Sequence, residues 1–234
     1  MTRRTYDQVV IDIQHYGQTG NYRNSRGAGA DFDGDGVVAA WEQEAEMTPY
    51  YVHAAAAKLT DNDVRTYILP LSPSSYRGRA AHISQLHLQA VQTWVKACEK
   101  LAVPFAVPPE PRTFVVLAHL NAGPGDYGLT LYHVNRTADK AVAVAIAAEL
   151  GRLPEIDRAV TRLATKTGDW KRAYFCLDMF WGADTNIHAA LVEPWFMSNT
   201  KHQSLAGGDG PIRVGHAIAD GILSCVRWCG EGSQ

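Results

Sequence analysis

The chain has 234 residues, a length that suits one large domain or one domain with an insertion. Its 22 basic and 24 acidic residues leave a net charge of −2, which gives no electrostatic case for a nucleic-acid or anionic-membrane partner. The 46% hydrophobic content supports a packed core rather than a disordered chain.

The segment Val9-Val10-Ile11-Asp12-Ile13 predicts a first strand over about 8–13, followed directly by Gln14 and His15. No signal-peptide h-region precedes it, so manufacture in the cytoplasm is expected. No apolar run reaches the roughly 18 residues of a membrane span, so no membrane insertion is expected. The glycine- and aspartate-rich stretch from Gly17 to Gly36 reads as loop. A helix is predicted over about 38–59, with Pro49 implying a late start or a kink. Val64 to Leu69 reads as a second strand, and Ile83, Leu86, Val91, Trp94 and Val95 mark a helix over about 76–101. After the proline-rich connector Pro104 to Pro111, Phe114 to Ala118 forms a strand that runs into His119. Gly128 to Val134 is another strand, and residues 137–151 form an alanine-rich helix closed by Gly151. Phe175 to Met179 reads as a further strand candidate. Ala189 to Val192 forms a strand running into Glu193, and a last helix covers about 212–228. This alternation predicts a single α/β domain over 1–234, a mostly parallel twisted sheet of about six strands with helices on both faces. Cys98, Cys176, Cys225 and Cys229 show no C-x-x-C spacing and read as structural.

Three of these strands are short, apolar and β-branched, as strands buried on both faces of a parallel sheet are. Each ends at a residue able to bind or serve a metal: His15, His119 and Glu193. Ligands of open α/β sheets sit at the carboxyl ends of the strands, so the three can converge although far apart in sequence. Catalytic zinc takes three protein ligands and leaves a position for water. His15 and His119 supply two, the acidic cluster Glu42, Glu44 and Glu46 is the source of a third, and Glu193 fits the general base.

The same segments carry a resemblance. Val10-Ile11-Asp12-Ile13-Gln14-His15-Tyr16-Gly17 resembles the opening I-D-x-G-H-G-G segment of the zinc-dependent N-acetylmuramoyl-L-alanine amidases of the Amidase_3 type. Leu117-Ala118-His119-Leu120-Asn121-Ala122 resembles their S-I-H-x-N-A segment, and Gly128-Leu129-Thr130-Leu131-Tyr132 the G-x-x-x-Y/F strand after it. Leu191-Val192-Glu193-Pro194-Trp195-Phe196-Met197-Ser198-Asn199 is similar to L-x-E-x-x-F-x-S-N, while Tyr76 and Arg79 correspond to a further arginine position. The segments occur in family order from residue 9 to about 223. The resemblance implies zinc ligands at His15 and His119, a catalytic glutamate at Glu193, and a ligand glutamate at the start of a helix. Glu44, with Met47, Thr48, Tyr51 and Leu59, reproduces that register best, with Glu46 the alternative. Gln14 and Tyr16 stand where the family has glycines, and the stretches from His15 to Glu44 and from Arg79 to His119 are longer than usual.

The extra length before Glu44 contains Asp31-Phe32-Asp33-Gly34-Asp35-Gly36-Val37-Val38-Ala39-Ala40-Trp41-Glu42, which fits the EF-hand pattern D-x-D-x-D-G-x5-E. Calcium there would take the carboxylates of Asp31, Asp33 and Asp35, the Val37 carbonyl and a bidentate Glu42, within an EF-hand-like insertion at about 31–42. Bound calcium would brace the helix that carries Glu44. His133, His188 and His202 have no spacing that demands a site. Arg79 suits either a substrate carboxylate or a salt bridge, and Trp181 and Trp195 either a glycan groove or the core. The resemblance implies a hydrolase of bacterial peptidoglycan with Zn2+ as its metal; the EF-hand-like spacing adds Ca2+, and a monomer is expected. A phage endolysin, released from the host cytoplasm to the wall, is the expected setting. The alternatives are an injected antibacterial effector, another zinc peptidase, and a calcium-stabilised wall-binding protein with a dead site.

Overall fold

The structure is a computed structural model that describes residues 8–14, 31, 35–37, 39, 42–69, 76–100, 110–121, 125–136, 139–180 and 186–228. His15, Asp33, Trp181 and Cys229 lie outside the described residues.

Six strands form one sheet: β1 (Gln8–Ile13), β2 (Arg65–Ile68), β3 (Thr113–Ala118), β4 (Tyr127–His133), β5 (Arg158–Ala164) and β6 (Ile187–Glu193). Their order is β2-β1-β3-β6-β4-β5. The four strands β2, β1, β3 and β6 run parallel, and β4 with its parallel neighbour β5 runs against them through an antiparallel β4–β6 pairing. The mostly parallel α/β sheet expected from sequence is therefore present. β1 and β3 are buried at every position, which is why their sequences are continuous apolar runs rather than alternating ones.

The five helices are α1 (Glu44–Asp61), α2 (Tyr76–Lys100), α3 (Asp139–Leu150), α4 (Lys171–Asp178) and α5 (Gly210–Trp228). One face of the sheet packs Val9, Ile11, Phe114, Val116, Ala190 and Val192 against α1, α3 and α5. The other packs Val10, Val115, Leu117, Ala189 and Leu191 with Ala80 and Ile83 of α2 and Ala173 and Leu177 of α4. Two glycines let α5 close onto its neighbours. A Cβ at Gly215 would stand 2.4 Å from the Tyr51 carbonyl oxygen, and one at Gly221 2.6 Å from Ile146 Cα. Both contacts are with backbone, so neither yields by a side-chain rotation.

Two expectations are corrected. Phe175 to Met179 is not a strand: residues 171–178 are helical, with Ala173 and Leu177 buried one turn apart and Phe175 exposed. The first helix begins at Glu44 rather than near 38. Ahead of it, Ala39 N donates to Glu42 Oε2 at 2.7 Å and Glu42 N to the Ala39 carbonyl at 3.1 Å.

Candidate active site

Parallel pairing brings the carboxyl ends of β1, β3 and β6 to one edge of the sheet, with Ile13 beside Ala118 and Ala118 beside Val192. The pairing continues past the strands. Gln14 N donates to the Ala118 carbonyl at 3.1 Å, His119 N to the Val192 carbonyl at 2.9 Å, and Asn121 N to the Trp195 carbonyl at 3.1 Å. Three adjacent tips are thereby held in fixed register. The chain reaches position 14 at this edge, and His15 follows outside the described residues.

Glu44, the first residue of α1, is 2% exposed and reaches the β3 tip from above. Its Oε1 lies 2.9 Å from His119 Nδ1 and accepts from Leu120 N at 2.9 Å. Of the two sequence candidates, Glu44 is thus the one whose carboxylate meets His119. Two helical turns on, at i+7 and on the same helix face, Tyr51 donates from its hydroxyl to the His119 carbonyl at 2.8 Å. Its ring packs edge-on against Trp195, which is wholly buried, so Trp195 belongs to the core rather than to a glycan groove.

Glu193 closes β6. Asn121 Nδ2 donates to its Oε2 at 2.6 Å, which fixes the carboxylate in one orientation. Burial raises the Glu193 pKa from the ordinary 4.5 to about 7; His119 opposes that rise and the Glu44 carboxylate adds to it. Burial alone would lower His119, but Glu44 first, then Glu193 and Asp12, outweigh it and leave its pKa raised. Tyr51 is pushed well up by burial and by Glu44.

These residues suit a divalent cation in one respect that the geometry itself supplies. An oxygen donor and a nitrogen donor of the types zinc prefers face each other across 2.9 Å, and the site concentrates carboxylate charge that a cation would offset. Among the described residues, no group of three such donors is gathered within metal-binding reach; the third sequence candidate is His15.

Beneath the tips, Asp12 and Arg79 form an ion pair with both side chains 3% exposed. Arg79 Nε donates to Asp12 Oδ1 at 2.6 Å, and Gln14 Nε2 donates to the other carboxylate oxygen. Arg79 therefore serves neither a substrate carboxylate nor a surface salt bridge; it neutralises a buried aspartate under the β1 tip. The remaining histidines lie elsewhere. His133 pairs with Asp178 and His188 with Asp139 at the opposite edge of the sheet, while His202 Nδ1 accepts from Phe196 N at 3.0 Å and supports the exit of β6.

In the EF-hand-like segment, Gly36 has φ +86°, the left-handed conformation that its position in such a loop requires. Gly36 N donates to Asp31 Oδ2 at 2.8 Å, and Val37 N to Asp35 Oδ1 at 2.8 Å. Glu42 is fully buried two residues before Glu44.

Sequence reasoning assigned no role to Asn121 or Tyr51. Both carried a signal: Asn121 lies within the segment Leu117 to Ala122, and Tyr51 lies at helical spacing from Glu44.

No protein-family profile and no curated protein matches the chain in sequence. Solved structures do match it in shape. An N-acetylmuramoyl-L-alanine amidase from Clostridium difficile 630 superposes with a TM-score of 0.61 at 15% identity, covering 98% of this chain and 100% of that one. The amidase Ami1 from Mycobacterium smegmatis gives 0.59 at 16% identity over 97% and 100%. The catalytic domain of the CD27L endolysin targeting Clostridia difficile gives 0.54 at 16% identity over 93% and 97%. Nearly the whole chain thus has the fold of N-acetylmuramoyl-L-alanine amidase domains.

Proposed function

We propose that the protein is a zinc-dependent N-acetylmuramoyl-L-alanine amidase that cuts the amide between the lactyl group of muramic acid and L-alanine in peptidoglycan. The observation that carries this reading is that Glu44, at the start of α1, meets His119 beside Glu193 at adjacent tips of a sheet with the amidase fold. Glu44, His119 and His15 would hold the metal, whose contribution when bound is Lewis acidity toward the scissile carbonyl and toward water.

The chain's own residues then have separate tasks. Glu193, held through Oε2 by Asn121, keeps Oε1 for proton transfer. It takes a proton from the attacking water and returns it to the alanine nitrogen as the amide C–N bond breaks. The products are a lactyl carboxylate and a free alanine amino group. Its raised pKa suits both halves of that transfer near neutral pH, and a cation beside it would draw the value down toward the base form. Tyr51 fixes the backbone of His119, so that α1 positions Glu44 and the imidazole together.

Zinc-loaded protein incubated with purified cell walls is expected to release free L-alanine amino termini. Zinc-bound protein that releases none would remove the substrate assignment. We place the enzyme with phage endolysins, a reading supported by its likeness to an endolysin catalytic domain. Expressed inside bacteria, it should then lyse them only once the membrane is permeabilised.

The 31–42 segment is read as a calcium loop bracing the start of α1, supported by the left-handed Gly36 and its bond to Asp31. Calcium should raise the thermal midpoint of zinc-loaded protein by mass action, and Asp35→Asn should abolish that increment. An equal midpoint with and without calcium would remove this part of the reading.

A further inference from the structure

Beside the Glu193 tip, the reversed strands β4 and β5 present their amino-terminal ends at the same edge of the sheet. Glu193 stands opposite Leu129 of β4, and Tyr127, two residues before Leu129, stands opposite Arg158 of β5. Alternation along the strands puts Glu193, Tyr127 and Arg158 on one face, the face that buries Leu129 and Leu191. Strand spacing sets Arg158 about 12 Å from Glu193 between Cα atoms.

The ground between them is a rigid ridge. Phe196 packs edge-on against Tyr127 with ring centroids 4.8 Å apart, and the Arg158 guanidinium lies 5.5 Å from the Tyr127 ring centroid. Phe196 is itself locked over Gly125, where even a Cβ would stand 2.4 Å from its ring. Two acids close to Arg158 in sequence are engaged by other cations. Asp157 pairs with Lys201 at 2.8 Å, and Glu155 takes both terminal nitrogens of Arg213 at 2.6 and 2.9 Å. Among the described residues Arg158 is exposed and has no ion pair. An exposed guanidinium, oriented by an aromatic ring and not neutralised by its neighbours, is suited to a planar carboxylate.

We infer that Arg158 determines specificity by binding a carboxylate of the substrate's peptide, on the leaving-amine side of the scissile bond. This rests on the amidase reading above. The residue that follows L-alanine in a peptidoglycan stem is a glutamate, whose α-carboxyl is free in some walls and amidated in others. That carboxyl is separated from the scissile nitrogen by one residue, a span of roughly 7 Å at full extension, shorter than the ~12 Å between the Glu193 and Arg158 Cα atoms by about the reach of the two side chains.

The test compares zinc-loaded full-length protein and its Arg158→Met and Arg158→Lys variants on cell walls with free or amidated stem glutamates. The readout is the initial rate of alanine amino-terminus release against wall concentration. Wild type is expected to favour the free-carboxylate wall by about tenfold, the value of one charge-assisted hydrogen bond. The difference should lie in the half-saturating concentration rather than in the maximal rate. Arg158→Met should bring the ratio close to one, and Arg158→Lys should restore part of it. A wild type without preference, or an Arg158→Met variant that retains it, overturns the inference and leaves the amidase reading intact. Zinc-loaded wild type inert on both walls overturns the amidase reading and this inference with it.

Discussion

Glu193→Gln is expected to lower amide cleavage by about a thousandfold, within the range a positioned general base contributes, while the fold survives. Glutamine keeps the shape and still accepts from Asn121 Nδ2, so the contact at 2.6 Å has a replacement. What it cannot do is exchange a proton with water and the leaving nitrogen. The same substitution has an opposite signature in stability. In metal-free protein the Glu193 pKa stands at about 7 against an ordinary 4.5. Between those values the folded protein holds a proton that the unfolded chain has lost, so stability falls as pH rises through that window. The shift corresponds to about 2 kcal/mol after allowance for partial exposure. Metal-free Glu193→Gln should therefore be more stable than wild type above pH 7 and lose that advantage below about pH 4.5. Urea unfolding at the two extremes reads this directly. A variant equally stable at both would show that burial does not tax the carboxylate.

Arg79→Met is expected to cost about 3–5 kcal/mol, because it leaves the buried Asp12 carboxylate without its counter-charge. For a chain of this size that is a fall in thermal midpoint of roughly 10 °C. Arg79 also reaches the Ile13 carbonyl at 3.5 Å, and Gln14 holds the far oxygen of Asp12, so the β1 tip loses its anchor along with the charge. Combining Arg79→Met with Asp12→Leu removes the orphaned charge and should recover most of the lost stability. A single Arg79→Met variant within 1 kcal/mol of wild type would mean that the pair contributes little to the β1 tip.

The features legible in sequence were those written by burial. Val9 to Ile13, Phe114 to Ala118 and Ala189 to Val192 announced central strands because both faces of those strands are covered. Residues at the ends of such runs could then be assigned to a common edge. β5 went unseen for the converse reason. As an edge strand it carries Arg158 and Arg162 toward solvent, and cations of that kind block edge pairing while erasing the apolar run. α4 was misread because Phe175 to Met179 is rich in aromatic and apolar residues that favour strands, whereas its buried positions follow helical spacing. Arg79 illustrates a different limit. An arginine's partner depends on which helix packs over which strand, and the pairing with Asp12, 67 residues away, is a tertiary fact. Asn121 and Tyr51 act through contacts with Glu193 and the His119 backbone, visible only once α1 and β6 are set against β3.

The central claim is that one zinc ion is held by Glu44 and His119, with His15, beside the Glu193 base. Calorimetric titration of the metal-free protein with zinc tests it most directly. One site per chain is expected, with proton release on binding, because the imidazole of His119 carries a raised pKa and must give up its proton to bind. Affinity should weaken as pH falls, and Glu44→Gln and His119→Ala should each weaken it by at least about a hundredfold, as loss of a direct ligand exceeds the 10–100-fold loss of an outer partner. Zinc that binds as tightly to both variants as to the wild type would contradict the account.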